Sequence, residues 1–236
     1  MNIGEIISDA LSYPFQNMKA LLIYAIIGVI GGIIGGASLV GIVASIGTTG
    51  VKGMLAAAGT VGFIVMIILF LLIEGYGLDI IKYGIEKRSD GPSVDFGRQI
   101  VNALKLIVVG IIYYIIPVIL MYLLSLIFQG WLTATLSILI FIIFALANFM
   151  AKCRLAHYDS LGEAFAISEV IGDISRVGLG KLIATVIVIV IMIIIMCILI
   201  GFLSVIPIIG NIILGLGSVY IAFFYNRAVG LLYSDA

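Results

Sequence analysis

The feature that most constrains this chain is a unit that occurs three times at nearly regular intervals. Each unit is a charged segment with helical periodicity followed by two long apolar stretches. Because units that cannot bury their own apolar faces pack against each other, the pattern predicts one membrane domain, 1–236, made of three stacked hairpins. The predicted repeats cover about 1–83, 84–158 and 159–236.

The apolar stretches are long enough to cross a bilayer, which takes about 20 residues per helix. The chain is 64% hydrophobic and 10% charged, whereas soluble domains carry about 25% charged residues. None of the stretches alternates as barrel strands do, so helices must satisfy the backbone in lipid. The sequence predicts an all-α integral membrane protein with six transmembrane helices, at about 20–45, 55–78, 105–128, 132–151, 181–205 and 208–231.

The charges predict the orientation of these helices. In the six-span arrangement, 11 of the 12 basic residues fall on one side, and Lys52 alone falls on the other. The positive-inside rule then places both termini and the loops 79–104 and 152–180 in the cytoplasm, in a multi-pass cell-membrane protein. The net charge is zero, so nucleic acid is not expected as a partner. The predicted outer loops are short and nearly uncharged: 46–54, 129–131 and 206–207.

The charged segment before each hairpin predicts an amphipathic helix on the cytoplasmic surface. The first covers about 2–13, and the second covers about 93–104 with an N-cap at Pro92-Ser93. The third begins with SLGE at 160–163, which has the capping-box spacing.

Lysines and tyrosines recur at the predicted membrane boundaries. Lysines can extend to the headgroups, and tyrosines are common at membrane interfaces. A repeat explains their even spacing, although every membrane helix end favours these residue types. They are Lys19, Lys105 and Lys181 at the start of the hairpins and Tyr83, Tyr158 and Tyr233 at their ends.

Five short motifs occur along the chain: DALSYP at 9–14, GYGLDII at 75–81, DGP at 90–92, YYIIP at 113–117 and IPIIG at 206–210. Together they resemble those of an archaeal membrane-protein family, the domain-of-unknown-function family 4013. The tryptophan expected near Pro14 and Phe96 is absent. The resemblance implies a multi-span archaeal membrane protein and brings no activity with it.

Four residues are candidates for a polar cluster at the inner mouth of the bundle: Glu74, Asn148, Lys152 and Arg227. A carboxylate inside a span is costly and marks a functional or a buried, paired site. The interpretation we favour is that the Glu74 carboxylate either extends to the membrane interface or pairs with Lys152 or Arg227, and so orients helices. The turn after it, with Asp79 and Lys82, has the spacing of ion pairs within one helix.

Glycines at four-residue spacing predict tight helix packing in the first span. Gly28, Gly32 and Gly36 form one such row. Small residues let membrane helices approach closely, so we expect this row to contact another helix or another subunit.

Three functions are compatible with the sequence. The first is a non-enzymatic protein that organises membrane lipids or partner proteins, including copies of itself. The second is a transporter or channel for a small solute, and the third is a lipid-modifying enzyme with Glu74, Asp79 or His157 as acid or base. No cofactor or metal is expected, because the cysteines have no zinc spacing to His157, the single histidine.

Overall fold

A computed structural model of the chain describes residues 1–45, 51–204 and 209–236. Within these ranges the chain forms helices and no strand. The helices are α1 (Ile3–Gln16), α2 (Met18–Ser45), α3 (Val51–Ile85), α4 (Phe96–Ile127), α5 (Trp131–Tyr158), α6 (Leu161–Phe165), α7 (Ile167–Val177), α8 (Leu179–Leu203) and α9 (Ile209–Tyr233).

Six of the described helices are long and apolar enough to cross a membrane: α2, α3, α4, α5, α8 and α9. They confirm the predicted all-α class and the six apolar spans. The second span is longer than predicted, since α3 continues beyond 78 to Ile85. The predicted outer loops at 46–54 and 206–207 lie partly or wholly outside the described residues.

Consecutive spans pack together in pairs, and we call these pairs the hairpins: α2–α3, α4–α5 and α8–α9. The segments before the hairpins differ from one another. The first is the separate helix α1, whose N-cap Asn2 exchanges two hydrogen bonds of 2.8 Å with Glu5. The second is not a separate helix, because α4 runs without a break from Phe96 into the third span. Its cap is Asp95 rather than the predicted Pro92-Ser93, and the Asp95 carboxylate accepts a hydrogen bond from the Arg98 amide.

The third segment is split into α6 and α7. Ser160 precedes α6, but its side chain makes no capping hydrogen bond, so the predicted capping box does not form. Gly178 separates α7 from α8 with a φ of 88°, a left-handed conformation that glycine adopts without strain.

Apart from Lys52 near the start of α3 and Glu74 within it, the charged residues of the described part of the chain gather at one end of the bundle. We call this the charged end: the segments near the chain termini, 79–105 and 152–181. The buried residues of α5 and α8 lie toward this end too. Those of α5 are confined to 147–156, and those of α8 are Leu182, Thr185 and Ile189. The rest of α8 exposes an apolar surface suited to lipid.

Helices α2, α3 and α9 form the most closely packed part of the molecule. Tyr24 and Tyr76 stack with ring centroids 4.2 Å apart, and Phe223 packs against both rings. A Cβ added to Gly84 would lie 3.0 Å from the Cα of Gly230. This contact fixes the end of α3 against α9 at the charged end.

Candidate functional site at the charged end

The end of α3 is joined to the start of α4 by an ion pair. Arg98 donates to Asp79 Oδ2 through Nη2 at 3.0 Å and through Nε at 3.2 Å. Asn102 Nδ2 donates to the other carboxylate oxygen at 3.0 Å. Asp79 therefore pairs with the following segment and not, as predicted, within its own helix, where Lys82 has no ion pair among the described residues.

The end of α5 is joined to α7 by a more deeply buried pair. Arg154 Nη1 donates to Asp173 Oδ2 at 2.9 Å, and the two side chains are 4% and 1% exposed. Arg154 also bonds to the carboxylate and carbonyl of Glu163. Tyr233 donates its hydroxyl to Asp173 at 2.6 Å, and Arg176 donates to the same carboxylate at 2.8 Å.

The end of α9 is joined to α1 by a third pair. Arg227 Nε donates to Asp9 Oδ1 at 2.7 Å. Arg227 is buried and also donates to the carbonyls of Tyr83 and Arg88. Its guanidinium lies 4.6 Å from the ring centroid of Tyr13, and burial raises the pKa of Tyr13 above its usual value.

These three ion pairs share one arrangement, and we call them the clasps: Asp79–Arg98, Arg154–Asp173 and Arg227–Asp9. Each joins the end of one hairpin to the segment that leads into the next, and Arg227–Asp9 returns from the last hairpin to the first. The first two join residues 19 apart in the sequence. The clasps therefore link the three hairpins in a closed ring.

The chain termini meet beside this ring. The Asp235 carboxylate accepts from the amino group of Met1 at 3.1 Å and from Lys181 Nζ at 2.5 Å. Burial alone would raise the pKa of Asp235, but hydrogen bonds from Lys181 and the amino terminus hold it below its usual value. Like Lys181, which starts the last hairpin and pairs with Asp235, Lys105 starts the second hairpin and pairs with Asp159 Oδ1 at 2.6 Å.

The predicted inner-mouth cluster is not joined by hydrogen bonds or ion pairs within the described part of the chain. Glu74 is exposed and contacts neither Lys152 nor Arg227 through such a bond. Asn148 is buried, and its Nδ2 donates to the hydroxyl of Tyr114 at 3.5 Å. Arg227 thus belongs to a clasp, and neither Glu74 nor Lys152 forms an ion pair with it among the described residues.

The predicted glycine row has unlike surroundings. A Cβ at Gly28 would lie 2.9 Å from the carbonyl oxygen of Gly215, so α2 and α9 are in close contact there. Gly32 faces open space. The surroundings of Gly36 lie outside what the structure describes.

A charged cleft of about 270 Å³ opens beside the first clasp. Its lining includes Asp79, Lys82, Arg98, Lys105 and Asp159. The acids of this cleft are held by Arg98 and Lys105, whereas Lys82 is exposed. Among the described residues that line it, the cleft can therefore offer a cation to an incoming group but no unpaired carboxylate.

The described residues include no group of three or more His, Cys, Asp or Glu side chains that could hold a metal ion. His157 is exposed, and its ring packs edge-on against Tyr158 with centroids 4.5 Å apart. Of the candidate acid–base groups, Asp79 is thus held in a clasp by Arg98, and His157 packs on the ring of Tyr158. No hydrogen bond joins the two among the described residues.

Sequence reasoning did not identify the clasps, although the sequence contains a signal for two of them. Asp79 and Arg154 precede Tyr83 and Tyr158 by the same four positions, so they hold matching positions in the predicted repeat. Each is followed, at the same separation, by a residue of opposite charge, Arg98 and Asp173. This pattern is hidden because the signs are reversed between the two pairs.

The sequence of this chain matches one family model. That model, described as "Protein of unknown function (DUF4013)", covers residues 58–205, more than half of the chain. No curated protein and no solved structure matches the chain. The chain belongs to the DUF4013 family.

Proposed function

We propose that this protein is a non-enzymatic membrane protein that organises lipids at the cytoplasmic surface of the cell membrane, with both termini in the cytoplasm. The observation that carries the proposal is the pairing of charge with exposed apolar side chains at the charged end. Such side chains enter the boundary between headgroups and acyl chains, while neighbouring cations attract anionic lipids.

Each segment that leads into a hairpin contributes to this surface. Its large apolar side chains are exposed where a soluble protein would bury them, and charged residues lie close by in the sequence. They are Phe15 and Met18 before the first hairpin, Phe96 and Ile100 before the second, and Ile167 and Ile171 before the third.

We also infer that the three hairpins are structural repeats. The preference of helix ends for lysine and tyrosine does not explain why two clasps have the same 19-residue separation. Nor does it explain why Lys105–Asp159 and Lys181–Asp235 are each 54 residues apart. These spacings support a unit that recurs, with the first hairpin lengthened in its apolar part.

The test of lipid binding is thermal stabilisation of the purified protein in neutral detergent. A ligand that binds only the folded state raises its melting temperature in a saturable way. We expect phosphatidylglycerol to raise the melting temperature and phosphatidylcholine to have a much smaller effect. The proposal fails if no lipid class stabilises the protein, and solute flux through reconstituted vesicles would then favour the transport alternative.

The orientation has its own test in intact cells. Cysteines are introduced one at a time at Gln129 and Asp90 in a background with Cys197→Ala, in which the remaining Cys153 is buried, and each variant is treated with a membrane-impermeant thiol reagent. Both native side chains are exposed, so burial does not protect either position. We expect labelling at 129 and none at 90, and the opposite pattern would place the charged end outside the cell.

A further inference from the structure

The three lysines that start the hairpins have different partners. Lys105 pairs with Asp159 at 2.6 Å, and Lys181 pairs with Asp235 at 2.5 Å. Lys19 is exposed and has no hydrogen bond or ion pair among the described residues. Two of the three equivalent cations are therefore neutralised within the protein, and one is available to another molecule.

The sequence after Tyr83 differs from that after the other two tyrosines. Asp159 is the first residue after Tyr158, and Asp235 is the second after Tyr233, whereas positions 84 and 85 are glycine and isoleucine. A side chain at position 84 would be tight, because its Cβ would lie 3.0 Å from the Cα of Gly230. The next acid, Glu86, lies 3.5 Å from Arg88 and makes no ion pair with Lys19 among the described residues.

Lys19 lines a cavity of about 720 Å³ between the α1–α2 junction and the loop 91–94. It is the only charged residue among the described residues that line the cavity. Polar groups are provided by Gln16, Asn17 and Ser93, and apolar groups by Ile23 and Val94. The cavity combines one unpaired cation and neutral polar groups with an apolar wall.

The loop that forms one wall is fixed by hydrogen bonds to three different helices or junctions. Tyr76 donates its hydroxyl to the carbonyl of Pro92 at 3.0 Å. Arg98 Nη2 donates to the carbonyl of Ser93 at 2.7 Å, and Asn17 Nδ2 donates to that of Ser89 at 3.2 Å. The cavity is therefore formed before a ligand arrives, which lowers the entropic cost of binding.

The acids nearest the cavity in this loop, Asp90 and Asp95, already accept hydrogen bonds within the protein. Arg88 donates to both oxygens of Asp90, and this holds the pKa of Asp90 below its usual value. Asp95 caps α4. Neither carboxylate lines the cavity, so an anion beside Lys19 meets no carboxylate among the described lining residues.

We propose that the Lys19 cavity binds the phosphate headgroup of an anionic glycerophospholipid. Lys19 lies at the first turn of α2, where a membrane span begins, and the neighbouring side chains of Phe15 and Met18 are exposed and apolar. A phosphate at this level accepts a charge-assisted hydrogen bond from Nζ, while the glycerol and upper acyl chains pack on the apolar wall. The inference rests on the proposed lipid-binding function and assigns it one site.

The test is titration of phosphatidylglycerol into the full-length protein in neutral detergent, followed by native mass spectrometry and thermal shift. We expect Lys19→Gln to weaken binding about tenfold, the factor that corresponds to one hydrogen bond to a charged group. Lys19→Arg should retain binding. The matched control is Lys152→Gln, because Lys152 also lacks an ion pair among the described residues but lines neither cavity described above.

Each outcome has a defined meaning. If the wild-type protein binds phosphatidylglycerol and Lys19→Gln binds equally well, the site is wrong but lipid binding is not. Equal weakening by Lys19→Gln and Lys152→Gln would indicate diffuse charge attraction and would also overturn the site. A third arm uses soluble glycerol 3-phosphate: Lys19-dependent binding of this compound without binding of phosphatidylglycerol would overturn the lipid as its source.

Discussion

The two ends of the six long helices are held by different forces. At the charged end, three clasps and the contacts of Asp235 tie together helices that are distant in sequence. Toward the other end, the described parts of α5 and α8 bury no residues and expose large apolar side chains. In lipid such exposure carries no penalty, because hydrocarbon solvates apolar side chains as well as a protein core does.

The difference shows how a very apolar chain can specify one arrangement of helices. Apolar contact alone discriminates poorly between packings in lipid, whereas a buried ion pair requires one particular partner. We therefore expect substitutions at the charged end to have large effects on stability and substitutions of lipid-facing residues to have small ones.

The largest effect is expected for the second clasp. Asp173→Ala leaves Arg154 without its buried partner, and breaking a buried pair costs about 3 to 5 kcal/mol of unfolding free energy. The matched control is Glu169→Gln on the same helix, since Glu169 makes a long ion pair of 4.0 Å with Arg176 and both side chains are exposed. Steric-trap unfolding of both variants measures the difference, and similar losses would contradict the comparison.

A leucine pair on α8 compares the two ends within one helix. Leu182 is fully buried, and Leu199 is 58% exposed. Leu182→Ala should lower the unfolding free energy by about 2 kcal/mol, the low end of the range for buried leucines. In lipid the apolar surface is not transferred to water, so the cavity left by the substitution accounts for most of the loss. Leu199→Ala should change the unfolding free energy by less than about 0.5 kcal/mol. Equal effects would mean that α8 packs along its whole length.

A charge exchange tests whether the first clasp is equivalent to the others. It has its acid on the hairpin end and its arginine on the following segment, the reverse of the other two. Asp79→Arg and Arg98→Asp should each cost about 1.5 kcal/mol, since Arg98 is 40% exposed. The double variant should recover most of this loss in a thermal melt. A double variant as unstable as the sum of the singles would refute the equivalence.

Among the substitutions at the charged end, the smallest effect is expected at Asp235, and it depends on pH. Its pKa in the folded protein is below the usual value of 3.8, so its stabilising contribution is present above about pH 4 and is lost as the pH falls through the folded pKa. Asp235→Asn should therefore be less stable than wild type by under about 1 kcal/mol at neutral pH, and the difference should shrink in acid. A difference that grew below pH 4 would have the wrong sign.

The sequence predicted the six spans because their length and apolar composition determine them directly. It misplaced the second interfacial segment, since residues 93–104 have helical periodicity whether they lie on a membrane or continue into a span. The sequence made Arg227 a candidate partner of Glu74, whereas in the structure Arg227 pairs with Asp9, 218 residues away in the chain. Local spacing carries no information on such distant contacts. Two of the clasps have the same 19-residue separation with the signs of charge reversed, so the sequence indicates them only when the two segments are compared.

The measurement that tests the closed ring most directly is a double-mutant cycle on Asp9 and Arg227. Asp9→Asn, Arg227→Gln and the double variant are compared with wild type by steric-trap unfolding. We predict a coupling free energy of about 1 to 3 kcal/mol, the range for residues in direct contact. Additive effects, with a coupling within about 0.3 kcal/mol of zero, would contradict the claim that the first and last hairpins are clasped together.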